Sequence, residues 1–145
     1  MRTIKYIVIH CTGAVSTQST QSIKQYWAKV LGWKSYGYHY LIGAKGEIEN
    51  LTDESKPTNG VAGFNANSIH ICYKGGNNGK DTRTTEQKII LRSLISTLKN
   101  KYPKAKLMGH RDFSKDLDGD GIIEPHEWIK LCPCFSVSTE YKDLL

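Results

Sequence analysis

The sequence predicts an α/β fold: a mixed central β-sheet flanked by helices. Three observations predict it. Short apolar runs with strand character recur along the chain, one strongly amphipathic helix lies between two of them, and the element order reads β-α-β-β-β-α-β. The chain has 145 residues, of which 39% are hydrophobic and 23% charged, so it is expected to form a single domain over residues 1–145 with a real core.

Each element has its own signal. Ile4 to His10 alternates and then runs apolar, which suggests a buried strand ending at His10. Gln21 to Trp33 places Ile23, Trp27, Val30 and Leu31 at helical spacing, with Gly32 as a helix stop. Tyr38 to Ile42 and Glu47 to Leu51 flank Ala44-Lys45-Gly46 and read as a hairpin. Ser68 to Tyr73 is a further apolar strand, closed by Gly75-Gly76. Thr85 to Lys101 is the clearest helix. Thr84 and Gln87 have the spacing of a capping box, and Leu91, Leu94, Ile95 and Leu98 form the buried stripe. Lys106 to Gly109 is a short strand that delivers His110, and the tail after Cys132 predicts one short helix.

The balance of 20 basic and 14 acidic residues, a formal charge of +6, favours anionic partners without choosing between nucleic acid and anionic wall polymers. No basic cluster with interleaved aromatics appears, so nucleic acid is not the expected partner. No apolar run approaches the length needed to span a bilayer, so no membrane insertion is expected. The N-terminal apolar stretch is too short for a secretory signal and has no small-residue cleavage site after it. The chain is therefore expected to be made in the cytoplasm, and to reach any outside target through release or another system. The four cysteines, Cys11, Cys72, Cys132 and Cys134, do not have the spacing of a disulfide framework.

Two histidines and a cysteine suggest a metal site. His10 ends the first strand, His110 ends a later one, and Cys132 follows in Lys130-Leu131-Cys132-Pro133. Residues at strand ends can meet on one sheet edge, and two imidazoles with one thiolate suit zinc with a fourth position open. Singly, each is as well explained as a hydrogen-bonded histidine or a small buried cysteine.

Taken in order, Val8-Ile9-His10-Cys11-Thr12, Gly37-Tyr38-His39-Tyr40-Leu41-Ile42, Asn67-Ser68-Ile69, Gly109-His110-Arg111-Asp112 and Lys130-Leu131-Cys132-Pro133 resemble the zinc N-acetylmuramoyl-L-alanine amidases. That family includes phage lysozyme-type amidases and animal peptidoglycan recognition proteins. The resemblance runs from about Ile4 to Phe135. It implies the amidase and recognition-protein type of mixed sheet, with peptidoglycan as substrate and hydrolysis of the bond between N-acetylmuramic acid and L-alanine. It also implies His10, His110 and Cys132 as zinc ligands and catalytic roles for Tyr38 and Lys130. Because neighbours on a strand face opposite ways, Tyr38 is expected in the site and His39 in a structural role. His70 could serve either, His126 is expected at the surface, and Arg111 and Asn67 are candidates for shaping a wall-binding groove. Cys132 is expected to be free for metal rather than paired. Two other functions fit the resemblance: a non-catalytic wall-binding module, and a phage regulatory protein with a protein partner.

Between His110 and Cys132 lies Asp116-Leu117-Asp118-Gly119-Asp120-Gly121-Ile122-Ile123-Glu124-Pro125-His126-Glu127. It matches the calcium-loop pattern D-x-D-x-D-G with glutamate at the twelfth place. The oxygen ligands would be Asp116, Asp118, Asp120, the Ile122 carbonyl, Glu124 and Glu127. A solvated acidic turn is the plainer reading of the same residues.

Overall fold

The computed structural model describes residues 2–145. Five strands form one sheet in the order β3-β2-β4-β1-β5: β1 (Tyr6–Cys11), β2 (Tyr40–Ile42), β3 (Ile48–Asn50), β4 (Ser68–Tyr73) and β5 (Lys106–Gly109). β1 pairs in parallel with both β4 and β5, β2 pairs in parallel with β4, and only β3 runs antiparallel. This is the mixed sheet that the element order predicts. The β2–β3 hairpin turns through Ala44-Lys45-Gly46, where Gly46 takes φ +86°, a left-handed conformation that suits glycine.

The alternation of each strand sorts its residues between two layers. One face carries Ile7, Ile9, Ile69, Ile71, Tyr73 and Ile42, all fully buried beneath helix α2 (Thr85–Lys101). Leu91, Ile95 and Leu98 of α2 are buried there, while Leu94 packs from the margin. The Thr84–Gln87 capping box is formed, and the buried Gln87 amide also reaches the Ile42 and Lys74 carbonyls, tying the helix start to the sheet. The opposite face carries Leu41 and Cys72, covered by Ile23 and Trp27, and continues into His10 and His70.

The first helix departs from its sequence reading. The α-helical part, α1, spans only Thr20–Gln25, capped by Ser19, and the chain then widens into a π-turn over Tyr26–Val30. Its Leu31 N–H bonds the Tyr26 carbonyl, a five-residue reach, at 3.1 Å. Of the expected stripe only Ile23 and Trp27 are buried, whereas Val30 and Leu31 are exposed. Trp27 is held in an aromatic group with Trp33, Tyr36 and Tyr38, at centroid distances of 6.4, 5.9 and 5.4 Å. Gly37 lies flat against it, since a Cβ there would sit 3.0 Å from the indole. β2 likewise starts at Tyr40, so Tyr38 and His39 precede the strand instead of opening it.

The C-terminal segment is part of the core. Phe135, Val137 and Tyr141, flanking and within α3 (Val137–Glu140), are buried against the α2 face. Arg83 fastens this segment. Its guanidinium lies 3.5 Å from the Phe135 ring centroid, bonds Asp81 at 2.8 Å and pairs with Glu140. Burial alone would lower its pKa, but Asp81 and Glu140 outweigh that and raise it.

Candidate active site

Sheet register brings the two histidines together. β1 and β5 run parallel with Ile9 opposite Gly109, so His10, still within β1, and His110, the first residue beyond β5, come to lie side by side. Their ring centroids are 4.9 Å apart. Gly109 is required by close approach: a Cβ there would meet Pro133 at 2.9 Å and Val137 at 3.1 Å. The third donor is delivered by backbone hydrogen bonding. The Arg111 N–H donates to the Cys132 carbonyl at 2.9 Å, laying the segment before Pro133 directly against His110. The Tyr73 hydroxyl donates to the Pro133 carbonyl at 2.6 Å and holds it from beneath.

His10, His110 and Cys132 each place a donor atom within 4.8 Å of the others. His10 Nδ1 lies 3.8 Å from Cys132 Sγ. A tetrahedral zinc with ordinary bond lengths holds such donors roughly 3.3–3.6 Å apart, close to the His10–Cys132 separation. The donor set fits zinc in its chemistry, and its atoms are gathered closely enough to share one ion. The Cys11 N–H donates to Cys132 Sγ at 3.2 Å, the kind of outer hydrogen bond that orients a ligating sulfur. All four cysteines are free thiols, as expected for Cys132. Burial, reinforced by His70, His110 and Lys130, pushes the His10 pKa well below its ordinary value. Burial and Lys130 bring that of His110 down to about 4. Both imidazoles are thus neutral at pH 7 and keep a lone pair for a metal.

These three residues lie in a cavity of about 760 Å³. Tyr38 and Lys130 line the same cavity. The Tyr38 ring sits 5.0 Å from that of His10, and burial and the neighbouring Cys72 raise its hydroxyl pKa, leaving it an O–H donor at neutral pH. Lys130 is exposed. Tyr26, Trp27, Leu31 and Trp33 make the apolar wall. Exposed Tyr26 and Leu31, at and just past the π-turn, thus face the groove.

His39 is structural, as expected. Its Nδ1 accepts from the His70 N–H at 3.0 Å and its Nε2–H donates to the Lys56 carbonyl at 2.7 Å. His126 is exposed, 3.3 Å from Asp118. Arg111 and Asn67 do not line the groove. Arg111 stacks on Trp128 at 3.8 Å, and Asn67 bonds the Thr3 carbonyl at 2.9 Å. Sequence reasoning missed Asn65, whose side chain reaches His70 at 2.9 Å. The contact spans only five residues, but its bearing on the site shows once the β1–β4 pairing sets His70 beside His10.

In the acidic insertion, Asp116, Asp118, Asp120 and Glu127 bring oxygens within 4.8 Å of one another. Asp116 accepts from Gly119 and Gly121, and the buried Glu127 from Leu117, Asp118 and Glu124. Gly119 and Gly121 take left-handed φ of +75° and +81°, as the sharp turns require. The Glu124 side chain leans on Asp120, which raises its pKa.

Two imidazoles and a thiol at one end of the parallel strands, open to a groove on their remaining side, have the form of a metallohydrolase site. The chain belongs to the N-acetylmuramoyl-L-alanine amidase family, whose model matches residues 1–126. It is 36% identical over 112 residues to an endolysin of Escherichia phage T7, covering 73% of this chain and 74% of the relative. The N-acetylmuramoyl-L-alanine amidase LysC from Clostridium intestinale superposes with a TM-score of 0.75 at 26% identity, over 97% of this chain and 83% of LysC. The Ph2119 endolysin of a Thermus scotoductus bacteriophage shares the fold, with a TM-score of 0.81 at 23% identity over 99% and 86% of the two chains. The protein is accordingly an amidase that hydrolyses the peptidoglycan bond between N-acetylmuramic acid and L-alanine.

Proposed function

We propose that this amidase works through a zinc ion held by His10, His110 and Cys132, with Tyr38 and Lys130 as its catalytic side chains. The convergence of three zinc-type donors on an open groove supports this most strongly. Bound there, zinc supplies Lewis acidity, polarising a carbonyl and making water acidic near neutral pH, about 7 in favourable sites. The chain's own residues do the rest. The Tyr38 hydroxyl donates toward the oxygen on which negative charge develops, and the Lys130 ammonium, in the same cavity, approaches that charge as well. Together they act as an oxyanion hole. The part-exposed Trp33, with exposed Tyr26 and Leu31 on the same wall, offers apolar surface on which a glycan or stem peptide rests. The intact donor set, with both supporting residues in the same cavity, favours hydrolysis over a recognition-only role. Among the described residues no helix is long and apolar enough to cross a membrane. We read the site of action as the cell wall, reached after synthesis in the cytoplasm.

The reading is tested by digesting purified wall with the zinc-loaded protein and assaying new peptide amino termini. Release that stops with a chelator and returns with zinc is expected. Absence of release on several wall types would sink the amidase mechanism.

We read the Asp116–Glu127 insertion as a calcium loop. Its acids already hold the loop in shape through backbone N–H groups, and their remaining lone pairs suit a hard cation. Asp116, Asp118, Asp120, the Ile122 carbonyl, Glu124 and Glu127 would be the ligands. Titration calorimetry on zinc-loaded protein is expected to show calcium uptake lost in Glu127→Gln. No heat at roughly millimolar calcium, the weak end of such loops, rules the loop out.

A further inference from the structure

We propose that Asn65 and His70 form a relay that fixes the tautomer and ring orientation of His10, so that His10 presents Nδ1 to the metal. Both are positioning residues. The inference rests on the zinc reading above and adds how this chain prepares its first ligand.

The proton positions follow one from another. The Val61 N–H can only donate, and it points at Asn65 Oδ1 at 2.8 Å, so that atom is the amide oxygen. His70 Nε2 lies 2.9 Å from the same oxygen and must therefore carry a proton. His70 is fully buried, with an amide oxygen and a second imidazole as its ring partners, so a charged ring would be stranded there without a counter-ion. It is neutral, and its Nδ1 holds a lone pair. That Nδ1 is 2.8 Å from His10 Nε2. Two lone pairs do not meet at hydrogen-bond distance, so His10 Nε2 donates. The His10 lone pair is then on Nδ1, the atom 3.8 Å from Cys132 Sγ.

The fold makes room for this relay. His70 stands on β4 opposite Val8, two residues before His10 on β1, so parallel register puts both rings on one face. Gly60 lies against the His70 ring, where a Cβ would sit 2.3 Å from Nδ1. Gly60 does not need a left-handed φ here; the glycine serves to leave space for the imidazole. Ligating histidines commonly donate their second N–H to a carboxylate or carbonyl. Here the acceptor is a neutral imidazole, made an acceptor by an asparagine one step further out.

The test uses the zinc-loaded full chain. Imidazole nitrogen shifts of the labelled protein are expected to show His70 protonated at Nε2 with an accepting Nδ1, and His10 bound to metal through Nδ1. Zinc bound through His10 with His70 protonated at Nδ1, or doubly protonated, overturns the relay alone. Failure of His10 to bind zinc overturns the zinc reading instead. In chelator competition, Asn65→Leu and Gly60→Ala are each expected to weaken zinc binding about 10- to 100-fold, whereas Asn65→Asp, which keeps an acceptor oxygen, stays within about threefold of the parent. A folded Asn65→Leu protein with parental zinc affinity overturns the proposal. If that variant does not fold, the His70 spectrum still decides.

Discussion

Replacing Cys132 with alanine is expected to remove the metal and the activity together. The Cys132 thiolate is the only anionic donor in the set, and two neutral imidazoles alone are a poor site for a divalent ion. Metal analysis should show zinc falling from one per chain to near zero, with amide hydrolysis at background. A thermal readout separates lost metal from lost fold. A ligand that binds only the folded chain stabilises it by about 2.7 kcal/mol at a hundredfold excess over Kd. The melting temperature of the parent should therefore fall when a chelator is added, while that of Cys132→Ala should not respond. Retained zinc and activity in Cys132→Ala would refute the ligand assignment.

Lys130→Ala and Tyr38→Phe are expected to show the opposite pattern: normal zinc content and a kcat lower by roughly 10²–10³, the usual cost of one oxyanion donor. Tyr38→Phe is the cleaner test. The phenyl ring keeps its edge contact with Trp27 and its place beside His10, so stability and metal affinity should hold while turnover falls. Lys130 is exposed, so its loss should not disturb folding either. Because both groups would stabilise one charge, the double variant should fall short of the product of the two single effects. Parental kcat in both single variants would remove these residues from the mechanism.

How much of this was legible in the sequence depended on how local each signal is. Helix α2 begins at its Thr84 cap, and β4 and β5 keep their expected bounds, because caps, glycines and apolar runs act within a few residues. The π-turn was not legible, since apolar spacing fits a π-turn as well as an α-helix and does not tell core from groove wall. His10, His110 and Cys132 could be singled out by chemistry and family resemblance, but their meeting depends on the Ile9–Gly109 register and the Arg111–Cys132 backbone bond. His70 stood out in the sequence without a settled role, and Asn65 did not stand out at all. The meaning of the pair comes from contact between His10 and His70, 60 positions apart, and from the room that Gly60 leaves for the His70 ring.

The placement of Cys132 beside His10 also makes the site a cross-link. A zinc ion joining them would tie together points 122 positions apart in the chain. Closing so long a loop costs little more than closing a loop of half its length, about 0.6 kcal/mol, so the tie acts chiefly on whatever is loosest between its ends. That is the mostly exposed stretch from Lys115 to Leu131, which the sheet does not hold. Metal release should free this stretch first. Limited proteolysis within it, slow in the zinc-loaded protein and fast after chelation, would then read metal occupancy directly from the cutting pattern.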